Sequence, residues 1–598
     1  MLADILAQLQ KQASAGESGV AAAFELNWQS LEPEAQKLAC LLSLFALAPI
    51  PWSLVESAAN SSDLEFDFKA NCIVLVERYL LQELAEDTYQ VHERIRELLQ
   101  QKLEELSEVD ELKRSYCQAM VAVARSIPQT PTLIEFAEAT LAIPHLEEAA
   151  TVYQGWLSND DFISPFLGLG RFYQGQGGYA QALPWYEQSL SGARKRFGDE
   201  HPDVATSLNN LAFLYDSQGR YSDAEPLYIQ ALEMTKRLLG DEHPSVATCL
   251  NNLAELYRSQ GRYNDAEPLY IQALEMTKRL LGDEHPNVAI SLNNLAALYY
   301  SQERYSDAEP LYIQTLEMTK RLFGDEHPNV AISLNNLAAL YDSQRRYNDA
   351  EPLYIQALTM RKRFLGDEHP SVATCLNNLA ELYRLQERYS DAEPLYIQAL
   401  EMTKRLFGDE HPNVATILNN LALLYDSQGR YNDAEPLYIQ ALTMKKRLLR
   451  DEHPSVATSL NNLAALYKSQ GRYSDAEPLY MQALEMDKRL FGDEHPNVAT
   501  CLNNLALLYK SQGRYSDAEP LYMQALEMDK RLFGDEHPNV ATCLNNLAGL
   551  YHSQGRYNDA EPLYIEALKI AEQRLGANHP NTITIRENLE DLRRNRQP

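Results

Sequence analysis

The chain has 598 residues and a net charge of −31, with 53 Lys and Arg set against 84 Asp and Glu. An acidic excess along the whole length repels a phosphate backbone and argues against nucleic acid as a partner. The most apolar stretch, Leu38–Ala48, is interrupted by Ser43 and too short to cross a bilayer, and the N-terminus lacks the pattern of a secretory leader, so the expectation is a cytoplasmic protein with no membrane partner.

Residues 1–158 show no repeat. Pro33 suits the first turn of a helix running to about Ala46, and shorter helices are expected at Trp52–Ala59 and Val74–Tyr79. Leu80–Val91 reads as a small hairpin turning at Glu86-Asp87, after which His92–Leu106 returns to helical periodicity. From about Lys113 to Trp156 the pattern is helical but irregular, divided at Ile127-Pro128 and Ile143-Pro144.

The remainder is organised by a His-Pro pair. From His201 it returns at His243, His285, His327, His369, His411, His453, His495, His537 and His579, always after 42 residues. A constant period of this size predicts a solenoid, in which each unit buries its apolar face only against its neighbours. Asn159–Glu200 is a divergent first copy, because Leu169, Gly170, Tyr173, Gly177 and Tyr179 fall where Leu211, Ala212, Tyr215, Gly219 and Tyr221 fall. The expected organisation is therefore a module at 1–112, a helical junction at 113–158, ten 42-residue units at 159–578 and a capping helix at 579–598.

Within a copy, Pro202 begins a helix whose apolar face is Val204, Leu208, Leu211, Ala212 and Tyr215, three and four residues apart. Gly219 ends it as a left-handed residue. Ser222 with Glu225 predicts a capping box for a second helix, with Pro226 tolerated near its start. Ala224, Tyr228, Ala231, Leu232 and Met234 supply the buried side of that helix. Lys236 and Arg237 suit the dipole of its last turn, and Gly240 stops it. At the end of the chain, Arg586, Glu590 and Arg593 replace the Leu, Ala and Tyr of the pattern, giving a last helix with one charged face that closes the stack.

This unit resembles the tetratricopeptide repeat in its 42-residue, kinesin-light-chain-like form. The residues that carry the likeness are Leu208, Leu211, Ala212, Tyr215, Gly219, Tyr221, Ala224, Tyr228 and Ala231, with the strings Asn-Asn-Leu-Ala, Ala-Glu-Pro-Leu and Gly-Asp-Glu-His-Pro. The resemblance implies an all-α chain: an α-solenoid, wound as a right-handed superhelix whose concave surface is lined by the first helix of each copy. Near the N-terminus, FELNWQSLEPEAQKLACLLSLFA and YQVHERIRELL resemble the winged-helix segment that follows the nucleotide-binding core of NB-ARC/STAND signalling ATPases. In that family a His at the start of the last helix touches the nucleotide phosphate, and Val91-His92-Glu93 falls on that motif. The family's GxxxxGK[ST] loop is absent, and no Gly-Lys pair occurs anywhere, so nothing is present to cradle a triphosphate. His92 reads more readily as a helix-start residue with a structural hydrogen bond.

Catalytic signatures are lacking: the chain has neither HExxH nor GxSxG. Asp-Glu-His recurs once per layer, too far apart to share an ion, so neither a metal nor a cofactor is expected and the chain does not read as an enzyme. Cys249, Cys375, Cys501 and Cys543 share a position that takes Ser or Ile in other copies, which marks a packing site.

The Asn-Asn pairs differ from the rest of the helix. Asn is a poor helix former, yet a pair sits mid-helix in every close copy. The second members, Asn210, Asn252, Asn294, Asn336, Asn378, Asn420, Asn462, Asn504 and Asn546, are candidates for gripping an extended peptide, since an amide both donates to and accepts from a backbone. The alternative is that they bond neighbouring copies. Six residues further on, the series Asp216, Arg258, Tyr300, Asp342, Arg384, Asp426, Lys468, Lys510 and His552 changes charge and size while the adjoining core is constant. Arg258, Tyr300, Arg384, Lys468, Lys510 and His552 are therefore candidates for selecting ligand side chains. The reading that follows is a non-enzymatic scaffold for an extended peptide or partner protein. Its alternative is the sensor part of a STAND-type signalling ATPase whose nucleotide-binding core lies outside this chain.

Overall fold

The structure, a computed structural model, describes residues 18–60, 67–127, 139–449, 451, 453–577 and 579–596. Its contacts fall into two compact units, Met1–Asp199 and Glu200–Pro598.

The first unit opens with helices α1 (Ser18–Gln29), α2 (Pro33–Leu42), α3 (Trp52–Asn60) and α4 (Phe68–Glu77). The helix from Pro33 thus stops four residues short of the expected Ala46, and α4 starts earlier than the expected Val74 because Asp67 caps it, accepting from the backbone of Lys69 and Ala70. The hairpin is present: β2 (Gln82–Ala85) and β3 (Thr88–Gln90) pair antiparallel through a turn in which Asp87 takes φ 52°. A third strand the periodicity missed, β1 (Ile50–Pro51), pairs with the other side of β3.

Helices α5 (Glu93–Glu104) and α6 (Val109–Ser126) follow, with α6 ending at the expected break; Pro128 lies outside the described residues. Pro144 sits in the first turn of α7 (Ile143–Thr151), and the divergent copy forms the hairpin of α8 (Ser164–Gly175) and α9 (Tyr179–Phe197). The unit is pinned by one buried imidazole. His145 accepts from the backbone N–H of Ala46 at 3.0 Å through Nδ1 and donates to the Pro49 carbonyl at 3.0 Å through Nε2. Phe45 packs edge-on against both His145 and Tyr116. Burial pushes the His145 pKa down to about 4.

In the second unit every copy repeats one hairpin, seen first as Pro202–Ser217 and Tyr221–Leu239. Of the predicted core, Val204, Leu208, Leu211, Ala212, Ala224, Tyr228, Ala231, Leu232 and Met234 are buried, and Tyr215 is half-buried. The first helix ends in a Schellman turn, with Gly219 N–H bonding the Asp216 carbonyl and Arg220 N–H the Tyr215 carbonyl, and Gly219 at φ 70°. In the three copies without this glycine, Glu303, Arg345 and Glu387 take the same left-handed conformation at φ 54°, 57° and 60°. The expected capping box does not form. Because the left-handed residue turns the chain at once, the second helix starts at Tyr221 with Arg220 as its N-cap, which leaves Ser222 inside the first turn. Glu225 reaches instead to Arg262 of the next copy, at 2.8 Å.

That reach is the rule between copies. Glu267 accepts from both the Tyr299 hydroxyl (3.0 Å) and Arg304 (2.9 Å) of the following copy, and the Arg304 guanidinium lies 4.1 Å over the Tyr299 ring. In the last helix, Pro580–Arg596, Ile585, Leu589 and Leu592 are buried, and Arg593 takes over the tyrosine's bond by pairing with Glu561 at 2.9 Å.

The His of each His-Pro pair, set aside above as a metal ligand, has a structural task. His201 Nδ1 accepts from the Asp203 backbone N–H at 3.2 Å and caps the first helix, and the same bond recurs down the chain. In two of the later copies the other nitrogen is used as well. His453 Nε2 meets the Ser217 carbonyl at 3.3 Å and His537 Nε2 the Gln302 carbonyl at 2.8 Å, residues 236 and 235 positions apart. Pro454 lies against Gly219 and His495 against Gly261, while Tyr221 meets Phe491 and Tyr263 meets Phe533. The superhelix thus comes round in fewer than six copies and its successive turns touch along a seam. Among the described residues no helix is long and apolar enough to cross a membrane.

Candidate functional site

Consecutive first helices lie side by side and form a wall with two rows of polar side chains. The Asn pairs make the first row. The second Asn of one copy donates through Nδ2 to Oδ1 of the first Asn in the copy before: Asn252 to Asn209 (3.0 Å), Asn336 to Asn293 (2.8 Å), Asn378 to Asn335 (3.1 Å) and Asn420 to Asn377 (3.0 Å). The series continues with Asn462 to Asn419, Asn504 to Asn461 and Asn546 to Asn503, and ends with Asn588 to Asn545 in the capping helix. Asn210, with no Asn before it, bonds the Thr206 carbonyl in its own helix. The donor half of these amides therefore holds the stack together. The poor helix propensity of Asn is offset by a bond that only a neighbouring copy can supply.

One rung of this ladder is open. Asn251 Oδ1 is buried and has no hydrogen-bond partner, so the link from Asn294 is missing.

The second row is the variable one. Arg258 binds Glu255 three residues earlier, at 2.9 Å through Nε, and the Ser301 hydroxyl of the next copy at 2.9 Å. Arg384 repeats this with Glu381 and Ser427. Tyr300 bonds Ser343 at 2.7 Å, and His552 meets Asn595 at 3.3 Å. All four bridge adjacent first helices at the same offset as the amide ladder. Tyr270 and Tyr396 add a hydroxyl to Glu255 and Glu381. Where Leu replaces that Glu, at Leu423 and Leu507, the hydroxyls of Tyr438 and Tyr522 are buried without a partner. The two arginines are thus neutralised by their own copies.

The lysines are not neutralised in this way. Lys468 has Asp426 nearby, but burial still pushes its pKa down, and burial alone pushes down that of Lys510. The amine of Lys510 passes over the next copy, where a Cβ on Gly549 would come within 2.9 Å of it. Towards the other end the row is acidic. Burial, with Glu255 beside it, raises the Asp216 pKa to about 7, and burial with Glu381 beside it does the same for Asp342. The wall therefore grades from carboxyl-rich to amine-rich along the stack.

Behind the wall, the cysteine position lies against the second helix of the preceding copy. Cys501 and Cys543 donate to Asp487 (3.3 Å) and Asp529 (3.2 Å), Lys445 donates to Ser459 (3.0 Å), and Thr235 meets Cys249. All seven cysteines are buried and unpaired. In the first unit His92 caps α5, accepting from Arg94 N–H at 3.2 Å. No group of three or more metal-ligating side chains gathers among the described residues.

A family model for the tetratricopeptide repeat matches in ten overlapping windows, the first at residues 161–237 and the last at 544–597. No curated protein matches significantly. Among solved structures the chain is similar to BtubC (BKLC) from P. vanneervenii, at 27% identity over 39% of this chain and 93% of that one, with a TM-score of 0.33. It is also similar to a Signal Transduction ATPase with Numerous Domains (STAND) protein with a tetratricopeptide repeat sensor from Pyrococcus horikoshii, at 16% identity over 78% of this chain and 65% of that one, with a TM-score of 0.45. A third is a Rap protein complexed with competence and sporulation factor, at 15% identity over 62% of this chain and 98% of that one, with a TM-score of 0.42.

Proposed function

Because the chain belongs to the tetratricopeptide repeat family, whose fold typically serves as a non-enzymatic interaction scaffold, we propose that it holds an extended peptide segment of a partner protein along its wall of first helices. One observation carries this reading. The constant amide row and the variable row run along the same first helices, and their bonds between adjacent copies, where they form, share one offset. A constant row offers acceptors to any peptide backbone, whereas a row that changes from Asp216 to Lys510 offers something different at each step. The amide oxygens of the second Asn of each pair, apart from that of Asn378, which accepts from Asn377 at 3.4 Å, are the groups this reading assigns to a ligand. Tyr300, Lys468, Lys510 and His552 select side chains, and Arg258 and Arg384 act through their paired carboxylates.

The test is selection from a random peptide library on the full chain and on the K468E/K510E double variant. Loss of acidic residues from the selected set, with at least a tenfold loss of affinity for the original binders, supports the reading. An unchanged selection overturns it.

A second reading, the sensor of a signalling ATPase, draws on the helix-and-hairpin arrangement of the first unit. Its test is calorimetry with Mg-ATP, where binding abolished by His92→Ala would favour it over the scaffold alone.

A further inference from the structure

The amide ladder is open at one place, between the second complete copy (from His243) and the third (from His285). Three observations meet there. The Asn251 oxygen is buried and accepts nothing, although the equivalent oxygen in the other described rungs accepts from the next copy. A buried acceptor without a donor is destabilising, and such groups are rare enough that each calls for an explanation. A cavity of about 230 Å³ opens beside it, lined by Asn251, Asn294, Pro244, Leu280, Leu281 and Ile290. That is below the range of cofactor and drug-sized pockets and suits one side chain with its peptide group. Finally, Ile290 stands where most copies carry Thr, and it is 56% exposed although it is a large aliphatic residue.

The next copy supplies an internal comparison. Ile332 makes the same departure from Thr, but there the rung is closed by Asn336 and Asn293. An exposed isoleucine and an open amide coincide only at the second-to-third junction.

We propose that this open rung is an anchoring site for a single aliphatic residue of an extended peptide, a proposal that rests on the wall of first helices being the binding face. The aliphatic side chain fills the cavity against Ile290, Pro244 and Leu281. With the Asn251 amide turned towards the cavity it lines, the residue's own backbone N–H donates to Asn251 Oδ1, and its carbonyl accepts from the Asn294 amide. The site reads one hydrophobic residue at a fixed place, whereas the rest of the wall reads charge.

The experiment uses the full chain and a displayed library of random heptapeptides. The wild type should enrich peptides with Leu, Ile or Val at one position. Ile290→Thr, which restores the usual residue of the repeat and leaves the fold intact, should abolish that preference and weaken the selected peptides about tenfold. Asn251→Leu should weaken them about fivefold while raising the melting temperature, because it removes the orphaned acceptor. Ile332→Thr should change neither selection nor affinity. Equal effects of Ile290→Thr and Ile332→Thr, or an aliphatic preference that survives Ile290→Thr, would overturn the anchor. If peptides bind and respond to K468E/K510E but not to Ile290→Thr, the anchor fails and the wall stands; if no peptide is enriched, both fail.

Discussion

The two units use polar groups in opposite ways. In the first, the tertiary bonds are each of their own kind: His145 ties Ala46 to Pro49, the Tyr116 hydroxyl bonds the His145 carbonyl, and Arg171 reaches the Ala124 carbonyl. In the second, the same bond is made again and again, Glu to Tyr and Arg of the next copy, Asn to Asn of the copy before. Stability in the first unit is therefore concentrated in single residues, whereas in the solenoid it is spread over interfaces that each contribute a similar share.

The sharpest separation should come from pH. His145 is neutral and buried, with a pKa near 4 against an ordinary 6.5. The unfolded chain takes up its proton first, so stability present above pH 6.5 is lost as the pH falls towards 4. The solenoid contains the opposite kind of group. Burial raises Asp216, Asp342 and Glu303 to about 7, and Asp487 and Asp529 to about 6. Their folded forms bind protons that the unfolded chain releases, so those copies should gain stability as the pH falls from 8 towards 5. His453 and His495, near 4, oppose this gain only below about pH 6.5. Hydrogen exchange at pH 8, 6 and 5, corrected for intrinsic rates, should show the two units moving in opposite directions between pH 6.5 and 5. Parallel movement would break the comparison.

Substitution comes next. His145→Ala should cost the first unit about 3 kcal/mol, since it opens a cavity in place of a buried ring and leaves a part-buried N–H and C=O unpaired. Protection of residues 200–596 should be untouched.

In the solenoid the largest single effect should be at the seam. Gly219→Ala and Gly429→Ala impose the same left-handed strain, at φ 70° and 71°, each costing about 1 kcal/mol. Only the first new methyl meets another turn, at 2.5 Å from Pro454, whereas the second faces open space. Gly219→Ala should therefore cost about 1–3 kcal/mol more; equal melting temperatures would show that the turns do not touch in solution. Glu351→Ala, which removes the acceptor of both Tyr383 and Arg388, should cost about 1 kcal/mol, felt in two adjacent copies by exchange and nowhere else. The smallest change is a gain: Glu387→Gly relieves a non-glycine φ of 60° and should stabilise by ~0.5–1 kcal/mol.

The solenoid was legible because its period, caps and core faces are local and repeated. Gly219, Tyr228 and Ala231 announce their tasks by spacing alone. The capping box failed because Ser222 and Glu225 satisfy a local pattern, whereas Glu225 is claimed by an arginine 37 residues away. The helix-capping His was hidden by its likeness to a metal motif. Strand β1 is only two residues long and gives no periodicity. On the wall, the variable row was visible as variation, but not that Arg258 and Arg384 would be neutralised, because Glu255 and Glu381 vary together with them. The open rung at Asn251 leaves no trace in the sequence: that copy reads Asn-Asn like the rest.

The seam has a further consequence, for traffic. A coil whose turns stand apart can be loaded sideways, a chain slipping between one turn and the next. Here Gly219 against Pro454, Gly261 against His495 and Gln302 against His537 bring the turns together at three points, one in each of three successive copies. Over this stretch successive turns of the coil are held in contact rather than standing apart. If the proposed peptide lies inside the coil, a free chain end would reach it without disturbing these contacts, whereas a loop flanked by folded domains would have to part them.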